Sequence, residues 1–299
     1  MPTDTVLSLL KKSTAFFEEK GVDEAKRSAE YLLAHAMGQK RLQLYLRFDQ
    51  PVADDELARF RELVRRRLRR EPVQYIVGST EFFGMEFSVS PAVLIPRPET
   101  EHLVEAVIDR ARADGGTEEK EPGLRILDIG TGSGIIAIVL AANLARARVT
   151  AVDVSEAALA VARENAASNN VAERIDFHPH DILAAQRDDI AGPFDIIVSN
   201  PPYVSARDMS ELQPEILGFE PATALTDNGD GLTFYRRIRE LLPHLLVPNG
   251  LLAVEIGFGQ APAVVEIFSS VLRDIDVIKD YSGVERVVVG MMADGRMAH

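Results

Sequence analysis

The stretch LRILDIGTGSGIIAIVLAANLA, Leu124 to Ala145, holds three elements in a row. LRILDIG is a short apolar run that reads as a strand, and SGIIAIVLAANLA reads as a helix. Between them Gly130, Gly132 and Gly134 permit a tight turn and let a ligand approach the backbone closely. The helix behind the turn opens with unpaired N–H groups. The alternation continues outward. RVTAVDV is a second strand and SEAALAVARENAASNN a second helix. RIDFH, FDIIVS, LLAVEIG, DIDVIKD and ERVVVG supply five more strands. This is the pattern of an α/β domain, a mostly parallel sheet covered by helices on both faces. The turn is spaced G-x-G-x-G, and Ile135 stands where a dinucleotide fingerprint needs its third glycine.

Upstream the texture is helical. TVLSLLKKSTAFFEEKG and DEAKRSAEYLLAHAMG place apolar residues near helical spacing and stop at Gly21 and Gly38. DDELARFRELVRRRLRR puts Leu57, Phe60, Leu63, Val64 and Leu68 on one face. Its last turns carry RRRLRR, Arg65 to Arg70, which reads either as a solvated helix end favourable to the dipole or as a contact surface for an acidic or nucleic-acid-bound partner. Pro72 closes this region. VQYIVGSTEFFGMEFSVS, rich in β-branched and aromatic residues, reads as a β-hairpin with Gly78 and Gly84 as turn candidates. PETEHLVEAVIDRARADGG returns to helix, and ADGGTEEKEPG is a polar loop. The expected organisation is a small helical domain over 1–72, a hairpin connector over 73–95 and the α/β domain over 96–299.

The 299 residues include no cysteine, which excludes disulfides, thiolate zinc sites and a cysteine nucleophile. No apolar run approaches the roughly 18 residues that span a bilayer, and the N-terminus lacks a signal peptide's basic start, so the expectation is a cytoplasmic protein without membrane contact. The net charge of −13 is unevenly spread. Residues 1–72 hold 15 Lys/Arg and 12 Asp/Glu, whereas the remainder holds 18 and 34. A large domain that acidic matches a polyanionic substrate poorly and a basic protein partner better.

Two further features carry chemistry. The second strand of the α/β region ends at Asp153, where a carboxylate in a doubly wound sheet can accept hydrogen bonds from both ribose hydroxyls of a nucleoside. Such charge-assisted bonds contribute roughly 1.5–3 kcal/mol each. FDIIVSNPPYV, Phe194 to Val204, ends a strand in Asn200, Pro201, Pro202 and Tyr203. A planar NH₂ group attacks a methyl carbon poorly because its lone pair is delocalised. The Asn200 side-chain carbonyl and the Pro201 carbonyl can accept its two N–H bonds. The prolines add stiffness and no competing donor, and the Tyr203 ring can pack on a flat group. Catalysis would then be positioning and desolvation, with no strong base required. His178 and His180 lack a third ligand at metal-site spacing.

The form D-x-G-x-G-x-G, from Asp128 to Gly134, resembles the first motif of S-adenosylmethionine-dependent methyltransferases. NPPY resembles the signature of amino-methyltransferases, including those that act on adenine N6. The wider text, notably EPVQYIVGSTEFFGMEFSVSPAVLIPRPETEHLVE, FEPATAL and GLLAVEIGFGQ, resembles the peptide chain release factor N5-glutamine methyltransferases from about residue 71 almost to the end. That resemblance implies a Rossmann-like, seven-stranded class I methyltransferase domain behind a small helical bundle that binds the release factor. It implies S-adenosylmethionine as cofactor, S-adenosylhomocysteine as product and no metal. It implies a protein substrate, the glutamine of the Gly-Gly-Gln loop of bacterial class 1 release factors, with no direct nucleic acid partner. Gly130, Thr131, Gly132, Ser133 and Gly134 would line the cofactor, Asp153 would take its ribose, and Asp181 and Ile182 its adenine side. Asn200 would also border the cofactor. Asn200, Pro201, Pro202 and Tyr203 would hold the glutamine. Ile182 departs from relatives that carry an aromatic residue there, so its contact would be aliphatic packing. The roles of IPRPETE and FEPATAL do not follow from the sequence. The alternatives are a nucleic-acid adenine methyltransferase acting on an extruded base, a noncatalytic cofactor-binding protein and, least of all, a nicotinamide dehydrogenase.

Overall fold

The first helices close a small core of their own. They are α1 (Val6–Glu19), α2 (Ala25–Ala36), α3 (Arg41–Tyr45), α4 (Asp54–Leu68) and α5 (Val73–Val77). The structure is a computed structural model that describes residues 4–113, 123–184, 186 and 189–293. Residues 114–122, most of the stretch read as a polar loop, lie outside the described residues. Thr5 caps α1 through a reciprocal pair of bonds with Ser8, which satisfies two of the helix's open donors. Phe17, Leu32, Leu33, Leu44 and Phe60 meet in the core between these helices.

Two readings from the sequence change here. Val73–Val77 is helical rather than the start of a hairpin. Pro72 precedes it, Val73 and Ile76 bury against the helical core, and Gly78 closes it with φ 83°. Tertiary burial thus overrides the β propensity of VQYIV. The hairpin is only β1 (Ser79–Phe82) and β2 (Met85–Ser88), joined by Phe83 and Gly84 with φ of 52° and 70°. The arginine run is solvated only in part: Arg65 and Arg69 stay exposed, but the other three arginines are engaged. Arg66 pairs with Glu71, while Arg67 and Arg70 reach Glu215 at 3.0 and 3.3 Å. Arg67 also donates to the Ser28 hydroxyl at 3.2 Å and is itself buried.

By compactness the chain forms two units. One takes in the described residues up to Ser79 together with Leu212–Phe219, and the other Thr80–Glu211 with the described residues from Glu220 onward. The second unit continues the chain with α6 (Thr100–Ala113), β3 (Arg125–Ile129), α7 (Ile135–Asn143), β4 (Arg148–Asp153), α8 (Glu156–Ser168), β5 (Ile175–Pro179) and β6 (Phe194–Ser199). The helix α9 (Pro214–Phe219), which the sequence reading did not mark, belongs to the helical unit. The second unit then resumes with α10 (Thr233–Leu245), β7 (Leu246–Glu255), α11 (Ala261–Phe268), β8 (Leu272–Lys279) and β9 (Glu285–Met292).

Its seven strands run in the order β5-β4-β3-β6-β7-β9-β8, parallel except for β9. Successive residues point to opposite faces, so each central strand feeds two cores. Ile126, Val149, Val198 and Ala253 face α6 and α7, where Leu103, Val107 and Ile138 pack. Leu127, Ile197, Leu252 and Val254 face α10 and α11, with Tyr235, Leu242 and Phe268. Every residue from Ile135 to Ala141 is buried, which explains why α7 has no polar face.

Burial raises the Glu215 carboxyl, but the helix backbone together with Arg67 and Arg70 outweighs it and holds the group below its usual range. Removing Arg67 would strand that charge. We expect Arg67→Met to lower stability by about 3 kcal/mol in urea unfolding followed by circular dichroism, with part of the loss recovered in the R67M/E215Q double variant. An unchanged midpoint for R67M would show that the pair contributes nothing.

Candidate active site

The site begins at the centre of the sheet. β3 and β6 pair in parallel with Ile129 opposite Ser199, and the Ser199 hydroxyl donates to the Ile129 carbonyl at 2.7 Å in a buried position. The glycine loop after β3 and the Asn200 tetrapeptide after β6 therefore leave the sheet side by side, across 70 residues of sequence. Both emerge at the carboxyl ends of parallel strands, where α/β sheets bind ligands.

Gly130 and Gly132 turn with φ of 74° and 55°, and a Cβ on either would meet open space. Their bare backbone thus faces a cavity of about 300 Å³. Gly134 serves a different end. A Cβ there would come within 3.0 Å of Ala162, so its role is close packing of α7 on α8. Behind the loop, Thr131 donates to the fully buried Asp128 at 2.6 Å. Burial pushes the Asp128 carboxyl up to about 7 despite that bond. The Ser133 carbonyl accepts from Asn165 at 2.9 Å, and the same Asn165 amide exchanges two bonds with the Ser88 backbone. One buried side chain therefore holds the hairpin and the glycine loop together.

Asp153 ends β4 and accepts from the Gly132 N–H at 2.8 Å and from the Ser155 N–H at 2.9 Å. Ser155 caps α8, which leaves the outer lone pairs of Asp153 facing the cavity. Asp181 accepts from the Leu183 N–H at 2.9 Å, and Ile182 is buried with its carbonyl bonded to Arg237. His180, beside them, has a buried Nε2 with no hydrogen-bond partner. No group of metal-ligating side chains occurs among the described residues.

Asn200 donates from Nδ2 to the Thr100 hydroxyl at 3.2 Å. Tyr203 donates to Glu255 at 3.3 Å, and its carbonyl accepts from Gln260 at 3.0 Å. Burial, then the Glu255 charge, raises the Tyr203 phenol well above its usual range. Burial likewise pushes Glu255, at the end of β7, up to about 7. Of the twelve residues marked from the sequence, eight line the cavity: Gly130, Gly132, Asp153, Asp181, Ile182, Asn200, Pro201 and Pro202. Thr131, Ser133, Gly134 and Tyr203 stand behind it. The Tyr203 ring packs against Gly257, so it supports the tetrapeptide from the rear instead of offering a face to the cavity.

Several contributors were not legible beforehand. The Glu220 carboxylate of FEPATAL accepts from the Ile95 N–H at 3.1 Å and from Arg97 at 2.6 Å, so FEPATAL and IPRPETE clasp each other. Glu101 accepts from the Phe83 N–H at 2.8 Å and pins the hairpin turn. Thr100, the first residue of α6, is fully buried against Asn200. The one available signal was chemical: Glu255 and Glu220 are acids set among apolar residues, as in LLAVEIG.

The chain is similar to known proteins along nearly its whole length. Residues 8–78 match the PrmC N-terminal domain and residues 117–237 the methyltransferase small domain. It is 45% identical over 283 residues to the release factor glutamine methyltransferase of Chlorobaculum tepidum, covering 94% of this chain and 95% of that one. It is 43% identical over 291 residues to that of Geobacter sulfurreducens, covering 96% of each. Among solved structures, the hMettl16 catalytic domain in complex with a MAT2A 3′UTR hairpin superposes with a TM-score of 0.56 at 19% identity, over 76% of this chain and 84% of that one, a likeness of fold alone. With identity at that level over almost all of its length, the chain belongs to the release factor glutamine methyltransferase family.

Proposed function

We propose that this protein methylates the side-chain amide nitrogen of the glutamine in the Gly-Gly-Gln loop of peptide chain release factors, in the cytoplasm, using S-adenosylmethionine. The observation that carries the reading is the joining of the glycine loop and the Asn200 tetrapeptide in one cavity by the Ser199–Ile129 bond. The substrate follows from what the relatives are called.

The cavity suits that cofactor. Bare glycine backbone accommodates an amino acid portion that carries no phosphate, the Asp153 carboxylate suits a ribose diol, and the open His180 Nε2 offers a polar contact. S-adenosylmethionine, when bound, supplies an electrophilic methyl group. The chain does the rest. Asp181 and Ile182 close the adenine side, one by hydrogen bonding and the other by aliphatic packing. The Asn200 Oδ1 and the Pro201 carbonyl accept the two N–H bonds of the glutamine amide and hold its nitrogen in line. Pro202 stiffens this strand end and Tyr203 buttresses it. The helical unit grips the release factor elsewhere, a role supported by Leu42 and Leu46, which stand 73% and 80% exposed.

Radiolabelled cofactor offered to a release factor, its Gln→Ala variant and adenine-containing DNA should label the first alone. Label in DNA and not in the release factor would overturn the substrate assignment. Asn200→Ala should reduce kcat roughly 10²–10³-fold with cofactor Kd nearly unchanged in calorimetry; full turnover would remove Asn200 from the mechanism. Leu42→Asp with Leu46→Asp should raise KM for the release factor about tenfold or more while kcat holds. An unaltered KM would place the second contact on another surface.

A further inference from the structure

A carboxamide has two ends of similar shape and opposite chemistry, one accepting and one donating. Asn200 can hold a substrate NH₂ only when its oxygen faces the cavity. With the group rotated by half a turn, two NH₂ groups would confront each other. Something must therefore select the orientation, and packing alone cannot, because the two ends fill nearly the same space.

We propose that Thr100 and Glu255 are positioning residues that fix the Asn200 carboxamide with its oxygen toward the substrate. This rests on the methyltransferase reading above. Thr100 is fully buried and its hydroxyl lies 3.2 Å from Asn200 Nδ2. That hydroxyl has one proton. Glu255 is 2% exposed, and of its hydrogen-bonding neighbours Thr100 does most to offset the burial of its charge. Tyr203 already donates to Glu255 Oε1, whereas Oε2 is buried with its hydrogen bond still open. An ionised carboxylate only accepts, so it draws the Thr100 proton towards itself. The Thr100 oxygen then presents only lone pairs to Asn200 and selects the Nδ2–H end. Oδ1 is left for the substrate.

The groups facing the Glu255 carboxylate act in both directions. Glu99 disfavours its charge and Arg286 favours it, though Arg286 is also committed to Asp280 at 2.9 Å. Tyr235 donates to the Glu255 backbone carbonyl at 2.8 Å and leaves the carboxylate alone. Burial pushes Glu255 up to about 7, so the selecting, ionised form fills in as pH rises through neutrality. A protonated Glu255 no longer draws the Thr100 proton, and the orientation of Asn200 is released.

The test compares wild type, Thr100→Val, Thr100→Ser and Glu255→Gln. Methylation of a purified release factor is measured across about pH 5 to 9, roughly two units either side of that midpoint, alongside cofactor Kd and the Asn200 side-chain amide in ¹⁵N NMR spectra. T100V should lower kcat about 10–100-fold with cofactor Kd within roughly twofold, and T100S should restore it. The Asn200 NH₂ signals should exchange slowly in wild type and T100S and rapidly in T100V. E255Q, which keeps the volume, should lose activity similarly and lose the rise of kcat through neutral pH, a second reading should T100V fold poorly. Wild-type kcat in T100V, an equally protected Asn200 amide, or an unaltered pH profile in E255Q overturns the proposal. A wild-type enzyme that leaves the release factor unlabelled overturns the substrate assignment instead, and the NMR comparison still decides the orientation.

Discussion

The pairing of β3 with β6, closed by the Ser199 hydroxyl on the Ile129 carbonyl, is the constraint on which the site depends. Parallel pairing brings strand ends of the same polarity together, so the loops that follow must share one edge of the sheet. In this chain those loops are bare glycine backbone on one side and a proline-stiffened carbonyl pair on the other. Neither is a site alone. A fully buried hydroxyl bonded across the two strand ends fixes their separation at the point where they diverge, and each added bond to a buried carbonyl contributes on the order of 1 kcal/mol.

Four acids serve this part of the fold, Asp128, Glu220 and Glu255 buried and Asp153 half-buried, and each ends or follows a strand or anchors a loop. They do different work because their partners differ. Glu220 meets Arg97 and a backbone donor, so its charge is compensated. Asp153 accepts two backbone N–H groups and organises the loop above it. Asp128 and Glu255 have mainly hydroxyl partners, and burial pushes both up to about 7. Carboxyls in that condition reduce stability as pH rises, since the folded state resists ionisation that the unfolded chain completes near pH 4. A fold that keeps them accepts that loss close to the reacting centre, a common feature of functional sites.

Much of the architecture was legible from local pattern. The seven strands, the glycine turn and the helices α1, α2, α4 and α6 follow from period-two and helical spacing with glycine and proline stops. The failures share a cause. VQYIV has strand-forming residues yet folds as a helical turn because its burial against α2 outweighs propensity. The arginine run looks solvated, yet Arg67 is buried because Glu215, 148 positions later in sequence, returns to meet it. Likewise Tyr203 has the ring of a substrate platform, but Gly257 and Glu255 draw it to the rear.

The sequence by itself determined which chemistry is present: a glycine loop, a ribose-suited acid and a carbonyl-rich strand end, each recognisable because its function depends on residue type within a few positions. Only the tertiary structure decided how those parts are held. Asn165 tying the loop to the hairpin, Glu220 clasping Arg97, and Thr100 bonded to Asn200 join residues that lie 77, 123 and 100 positions apart. Such partners are chosen by where strands end in space, and spacing along the chain carries no record of that.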